Sequence, residues 1–404
     1  MREDRLNRRW ELIALGIVVN ACLGTVYSWS VFRTPLELVL GMSAGQSGVP
    51  YSVFLGAFAF SMPVGGFLIL RLGSRLTLLF GGILVGTGWI AAGLADSYLL
   101  LTLFYGVVGG AGVGLAYGVP LSVSASWFPH RRGLAMGLTL GGFGVSPFVT
   151  APLAEMLIST RGVQPAMVWL GVGFLVIIGA LWWLFETASG EGRGAAETSG
   201  DVPTFRMLRT GRFYALWSTY AIGTLAGLTA IGMTASYAQE GLGLSSAAAA
   251  IAVSAFGICN GVGRPLFGFL HDRQKTYVAI LIAFALVTLG ATIAFLADSD
   301  RVILFYFGFG ILWLMLGGWL AIAPAATVRL FGPAYYTPNY GIMYTAYGVG
   351  ALAGGFASSA LYNLFGSYRP IFLVIVGLCA LGSVVAVLFL KSGRGSEVSR
   401  TVLM

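Results

Sequence analysis

Residues 66–75 read GFLILRLGSR and residues 268–275 read GFLHDRQK. Their leading glycines, Gly66 and Gly268, stand 202 residues apart in a chain of 404. Each stretch interrupts a long apolar run with a short group of charges, so each reads as a connection between two buried helices. A pattern that returns at half the chain length marks a duplicated unit. Outward from these connections the apolar runs fall at 11–33, 47–70, 74–95, 98–127, 132–157 and 164–186, then at 211–238, 245–271, 276–297, 302–330, 338–364 and 368–391. Each is long enough to cross a hydrocarbon core, which takes about 20 residues of helix. The long polar connection 187–210 divides them six and six. The expected fold is all-α, with twelve transmembrane helices in two pseudo-symmetric six-helix bundles, 1–186 and 211–404, joined by a cytoplasmic linker.

Composition points the same way. Hydrophobic residues make up 57% and charged residues 9%, where soluble proteins carry about a quarter charged; a water-soluble fold is excluded. The 59 Gly and 14 Pro are spread through the apolar runs, as in membrane helices whose backbones approach closely. Cys22, Cys259 and Cys379 lie inside apolar runs without Cys-x-x-Cys spacing, and the chain has two histidines. Neither a metal site nor a disulfide framework is expected, and no cofactor. His130 and His271 fall in connections and read as solvated turn residues.

The net charge of +8 is resolved by position. With both termini on the cytoplasmic side, 18 of the 23 Lys and Arg lie on that side, and Arg33, Arg161, Arg301 and Arg369 lie on the other. Basic residues near helix ends are retained in the cytoplasm, so the expectation is a multi-pass protein of the cytoplasmic (inner) membrane. The lipid bilayer then accounts for the positive balance, and no nucleic-acid partner is expected. The first apolar run is long enough to span and lacks a small-residue cleavage pattern, so it is expected to stay. No nucleophile and base, paired acids or metal cluster stand at reacting spacing, which argues against an enzyme.

The residue expected to carry the chemistry is Arg264. It lies eight residues before Asp272 at the end of its span, hence about 12 Å into a core about 30 Å thick. An arginine there costs at least about 2.5–3.5 kcal/mol, so it should face a wet cavity and find an anion. No Asp or Glu of any span lies at matching depth. A substrate carboxylate gripped by the guanidinium fork is one resolution; a structural arginine bonded to carbonyls at a helix break beside Pro265 is the other. Tyr27 and Asn20 on the first span, Tyr117 on the fourth, Asn260 one turn from Arg264, and Tyr344 and Tyr347 on the eleventh are the further candidates for the cavity wall.

The pattern Gly-x-x-x-Asp-basic-x-Gly after the second span of each half resembles the signature loop of the major facilitator superfamily. Gly268, Asp272 and Arg273 match it in the second half, and Gly66, Arg71 and Gly73 in the first, where Leu70 replaces the usual acid. The resemblance implies that these residues form a conformational latch. Three longer stretches, NRRWELIALGIVVNACLGTVYSWSVFRTPL at 7–36, GVGLAYGVPLSVSASWFPHRRGLAMGLTLGGFGVSP at 112–147 and CNGVGRPLFG at 259–268, resemble the oxalate/formate antiporter branch and the related bacterial monocarboxylate (lactate) transporters. The resemblance implies that Arg264 binds the substrate carboxylate and that Tyr117 faces it. Oxalate exchangers of that branch carry a lysine in the eleventh span, whereas 339–355 here has none. Mammalian-type relatives carry an acid one turn before the arginine, whereas Asn260 stands here. The expected function is secondary active transport of small monocarboxylates, lactate- or pyruvate-like, by proton symport or anion exchange. An oxalate/formate-type dicarboxylate exchanger and an exporter of a neutral compound are the alternatives. Besides the small carboxylate and lipid, protons are the expected partner in the symport case, and the chain is expected to act as a monomer.

Overall fold

Lipid offers backbone N–H and C=O groups no partner, so a spanning segment must satisfy them within itself as a helix or in a closed barrel. The computed structural model describes residues 2–128, 132–186, 201–332 and 334–391, with the side chains of 2–7, 132–134 and 337 outside that description. Among the described residues there are helices and connections and no strand. Ten helical stretches are long and apolar enough to cross a membrane. One of them, Val49–Gly93, has non-helical backbone at Gly73 (φ 82°, ψ 165°) and is therefore two spans. Another crossing is made by Tyr336–Met343 and Thr345–Phe365, interrupted at Tyr344.

The twelve spans are α1 (Arg8–Leu40), α2 (49–72), α3 (74–93), α4 (Tyr98–Trp127), α5 (Arg132–Arg161), α6 (Val163–Leu184), α7 (Gly211–Gly241), α8 (Ser246–Arg273), α9 (Thr276–Phe295), α10 (Val302–Phe331), α11 (336–365) and α12 (Pro370–Leu390). Local chemistry fixes several ends. Ser97, Thr210 and Ser245 accept the orphan N–H of the third helical residue at the starts of α4, α7 and α8, and Gly41 and Gly366 close α1 and α11 in the left-handed region that favours glycine.

Two boundaries differ from the apolar pattern. The first span does not stop at 33 but continues to Leu40, because Arg33 is buried and hydrogen-bonded inside the helix bundle. His271 is not a solvated turn residue: it lies in the last turn of α8, 1% exposed, with Nε2 3.2 Å from Thr276 Oγ1. His130 lies outside the described residues, as does 187–200 of the linker. The linker's end docks on the second half: the Val202 N–H donates to the Phe331 carbonyl at 2.8 Å, and Asn339 Nδ2 donates to the Val202 carbonyl at 2.9 Å.

The halves α1–α6 and α7–α12 meet chiefly where α5 runs along α8 and α2 along α11. The duplicated pattern makes α8 the counterpart of α2 and α11 the counterpart of α5, so the seam is built from equivalent pairs. The equivalence extends to side chains: Arg71 lies over the Phe67 ring at 4.7 Å and Arg273 over the Phe269 ring at 4.0 Å. The termini-bearing end carries the ion pairs of the described residues, Arg8–Glu11 at 3.5 Å and Arg75–Glu186 at 2.6 Å.

Candidate functional site: a buried arginine in a tyrosine cage

Arg264 is held by the way α8 packs. At Gly263 an added methyl would overlap the Leu314 carbonyl of α10, and at Gly317 it would overlap the Asn260 carbonyl of α8. Glycine at both positions therefore lets the two backbones touch. Asn260 is thereby fixed, its Nδ2 donating to the Trp313 carbonyl at 3.2 Å. On the other side, a Cβ at Gly144 of α5 would stand 2.8 Å from Asn260 Oδ1 and 3.2 Å from Arg264 Nε. The arginine thus sits at the α5–α8 seam, 18 residues into α8, which is about 27 Å from its start.

The side chain is 5% exposed. Nη1 donates to the Leu140 carbonyl of the opposite half at 2.8 Å, and Nη2 to Asn260 Oδ1 at 3.4 Å. Nε has no acceptor. Among the described residues no carboxylate pairs with this cation. Arg264 is almost wholly shielded from solvent, and its Nη1 and Nη2 donate to a backbone carbonyl and an amide oxygen. Phenols fill the surroundings: the electrostatic neighbours of the guanidinium include Tyr27, Tyr117 and Tyr340.

Those phenols belong to one aromatic cage drawn from both halves. Tyr27 of α1 places its hydroxyl 3.0 Å from that of Tyr347 of α11, and its ring packs edge-on to Phe143 at 5.1 Å. Trp313, anchored by Nε1 donation to Thr234 Oγ1 at 3.0 Å, also packs edge-on to Tyr27, with ring centres 6.4 Å apart. Tyr117 of α4 meets Phe58 at 5.1 Å, Phe143 at 5.4 Å and Tyr344 at 6.2 Å. Tyr344 stacks on Tyr347 at 4.9 Å, and Tyr340 meets Tyr344 at 5.7 Å.

Of the candidates from sequence, Arg264, Asn260, Tyr117, Tyr27, Tyr344 and Tyr347 come together here. Asn20 makes no hydrogen bond to these residues: it is fully buried, its Nδ2 donates to the Gly16 carbonyl of its own helix at 3.0 Å, and its Oδ1 has no partner among the described residues. The residues of the signature loops do not meet each other. Gly66, Gly73 and Gly268 have open space where a side chain would stand, Asp272 is exposed, and Arg71 and Arg273 lie on aromatic rings of their own helices. Tyr340, Phe58, Phe143 and Trp313 were not singled out in the sequence. The spacing of Tyr336, Tyr340 and Tyr344, one helical turn apart, was the signal for Tyr340; the partner carbonyl of Leu140 leaves no trace in a sequence.

A cage with one cation, hydroxyl donors and aromatic walls can bind a small anion that carries some apolar surface. It holds no nucleophile–base pair, and among the described residues no group of three or more His, Cys, Asp or Glu could hold a metal. The profile of the Major Facilitator Superfamily matches residues 13–323 and 222–401. The oxalate:formate antiporter of Oxalobacter formigenes is 31% identical over 376 residues, covering 91% of this chain and 88% of that protein. Monocarboxylate transporter 12 of Mus musculus is 23% identical and covers 90% of this chain and 82% of its own length. Among solved structures, a bacterial homolog of the human lysosomal transporter Spinster, inward-facing and unoccupied, superposes with a TM-score of 0.75 at 16% identity, covering 95% of this chain and 98% of that one. That superposition shares the fold. The chain is a transporter and not an enzyme, and it belongs to the major facilitator superfamily, in the branch of the oxalate:formate antiporter.

Proposed function

We propose that the chain carries small monocarboxylates, lactate- or pyruvate-like, across the cytoplasmic membrane by alternating access, with Arg264 gripping the carboxylate. The two halves, taken as 1–186 and 211–404 with 187–210 between them and both termini in the cytoplasm, rock about the cage. The observation that carries this reading is a mid-membrane guanidinium with no carboxylate partner among the described residues and an unused Nε donor. A buried charge in hydrocarbon without a counter-ion is costly enough to require a function. A carboxylate entering the cage accepts from Nε and one Nη in a fork, and the phenols of Tyr117 and Tyr27 donate to its remaining lone pairs. The aromatic walls, Phe58 and Phe143 among them, suit a short apolar tail better than a second charge.

Exchange is preferred to proton symport. Asn260 stands one turn before the arginine, where the resemblance places an acid that would carry the proton, and the Arg264–Leu140 bond ties the halves together. Oxalate is the second reading, favoured by the 31% identity with the oxalate:formate antiporter. Purified protein in liposomes preloaded with unlabelled lactate should accumulate labelled lactate, and excess external pyruvate should compete more strongly than oxalate. Oxalate outcompeting both would transfer the assignment to the dicarboxylate. Labelled lactate that never enters, with transport of a neutral compound intact in Arg264→Ala, would end the carboxylate reading.

A further inference from the structure

We propose that Arg33 is a positioning residue of the transport cycle: with Ser47 it latches the two halves together at the end opposite the termini, and it must let go each time that end opens. The inference rests on membership in the superfamily and not on which anion is carried.

The sequence places Arg33 among turn charges, but the side chain is 3% exposed. It is satisfied almost entirely by uncharged acceptors. Nε and Nη2 donate to Ser47 Oγ at 3.0 and 2.9 Å, and Nη2 also donates to the Ala44 carbonyl at 2.6 Å. These partners belong to its own half. Nη1 crosses the seam to the Gly232 carbonyl of α7 at 3.2 Å, and the guanidinium lies 5.4 Å from the ring centre of Tyr368, just before α12. Ser47 in turn donates to Glu37 of the same half, while Glu240 of α7, on the other half, is an electrostatic neighbour of the cation with no direct hydrogen bond to it. The arginine is therefore anchored firmly to one half, and its direct contacts with the other are one carbonyl and one aromatic face. An anchored charge-assisted donor with a weak far partner can release without stranding a buried ion pair.

The seam around it needs such a clasp. A narrow cleft with room for about 20 Å³ runs between the halves and is lined by Arg33, Tyr51, Ser52, Thr229, Ser358 and Tyr368, among others. Within it the hydroxyls of Tyr51, Thr229 and Tyr368 are buried without a hydrogen-bond partner. Opening at this end returns these hydroxyls, which have no partner among the protein groups, to bulk water. The Arg33 bonds act against that opening. The backbones are close enough for the clasp to reach because the facing positions are glycines: a Cβ at Gly232 would press on the Tyr51 ring at 2.7 Å, and one at Gly355 would overlap the Ser52 hydroxyl.

The test measures opening directly, with no substrate present. In the full chain with Cys22, Cys259 and Cys379 replaced by alanine, spin labels are attached through Asp96→Cys and Ser299→Cys, exposed positions on the two halves at this end. Arg33→Ala should raise the ratio of long to short label distances about tenfold or more, as expected for loss of hydrogen bonds to a charged group, with helix content unchanged by circular dichroism. Arg33→Lys should recover part of the shift. Ser47→Ala, which removes the anchor and keeps the charge, should move the distribution in the same direction, and it decides the matter if Arg33→Ala does not fold. A distance distribution in Ser47→Ala and in any folded Arg33→Ala that matches the parent would overturn the latch.

Discussion

A guanidinium at mid-depth with one carbonyl, one amide oxygen and a free Nε is less well satisfied than the arginine beside Ser47. That difference supports reading the first as the proposed binding cation and the second as the proposed clasp. If the fork is what grips the anion, charge alone is insufficient. Arg264→Lys should cut lactate exchange in liposomes at least about tenfold, because ammonium offers no planar pair of donors; near-parent exchange would remove Arg264 from the site. Tyr117→Phe deletes one hydroxyl beside the guanidinium and nothing from the packing against Phe58 and Phe143. The apparent substrate constant should rise about tenfold or more, the worth of a hydrogen bond to a charge. An unchanged constant would make Tyr117 a packing residue. At this scale the sequence was legible where chemistry is rare. A lone arginine among apolar residues stands out, whereas Asn20, an equally lone polar residue, is satisfied in part by its own helix and has no distinguishing mark. Arg33 is not legible in this way, because a charge near a helix end normally reaches water and only the fold brings Ser47, Gly232 and Tyr368 around it.

Element boundaries follow from backbone chemistry more than from hydropathy. The break at Gly73 was visible because charges flank a glycine, and the observed φ of 82° with ψ of 165° is a conformation open to glycine and closed to L side chains. Space is ample there, so Gly73→Ala isolates the backbone cost: thermal unfolding in detergent should show a loss of about 1–3 kcal/mol, and equal stability would mean that the α2–α3 turn re-forms in another way. The break in α11 was not visible. Tyr344 keeps helical angles, φ −65° and ψ −18°, and hydropathy does not report a missing hydrogen bond. Close approach of α5 and α8 was foreseeable only as a general property of glycine-rich spans; that Gly144 in particular faces Asn260 and Arg264 required coordinates. Gly144→Ala puts a methyl 2.8 Å from Asn260 Oδ1 and must push α5 off α8 at the level of the site. Such overpacking costs about 1–3 kcal/mol. Exchange should fall by more than the loss of folded protein explains, as judged by transport per molecule surviving size-exclusion chromatography.

For the molecule as a whole, the decisive question is whether the empty carrier can reorient. Two arginines donate across the seam at different depths, Arg264 to the Leu140 carbonyl and Arg33 to the Gly232 carbonyl. The first lies where substrate would bind, the second far from it. On the proposed reading a carboxylate forked by Nε and Nη2 displaces Asn260 Oδ1 and neutralises the charge that strengthens the Nη1 bond to Leu140, so loading loosens the seam at the level of the site. Unloading restores a cation that must again find a carbonyl of the opposite half. If this coupling holds, the loaded carrier crosses a lower barrier than the empty one, which is the condition for the proposed exchange, because net uptake requires the empty form to return. One hydrogen bond to a charged group is worth about 1.5–3 kcal/mol, or roughly a factor of ten to a hundred in rate if it is lost in the transition state. Liposomes preloaded with unlabelled lactate should accordingly take up labelled lactate at least about tenfold faster than empty liposomes of the same composition. An inwardly directed proton gradient should change neither rate by more than about twofold, since Asn260 replaces the acid that would bind the proton. Uptake into empty liposomes that matches exchange and rises steeply with the gradient would show that the empty form returns freely, and the Arg264–Leu140 contact would then be packing without a role in coupling.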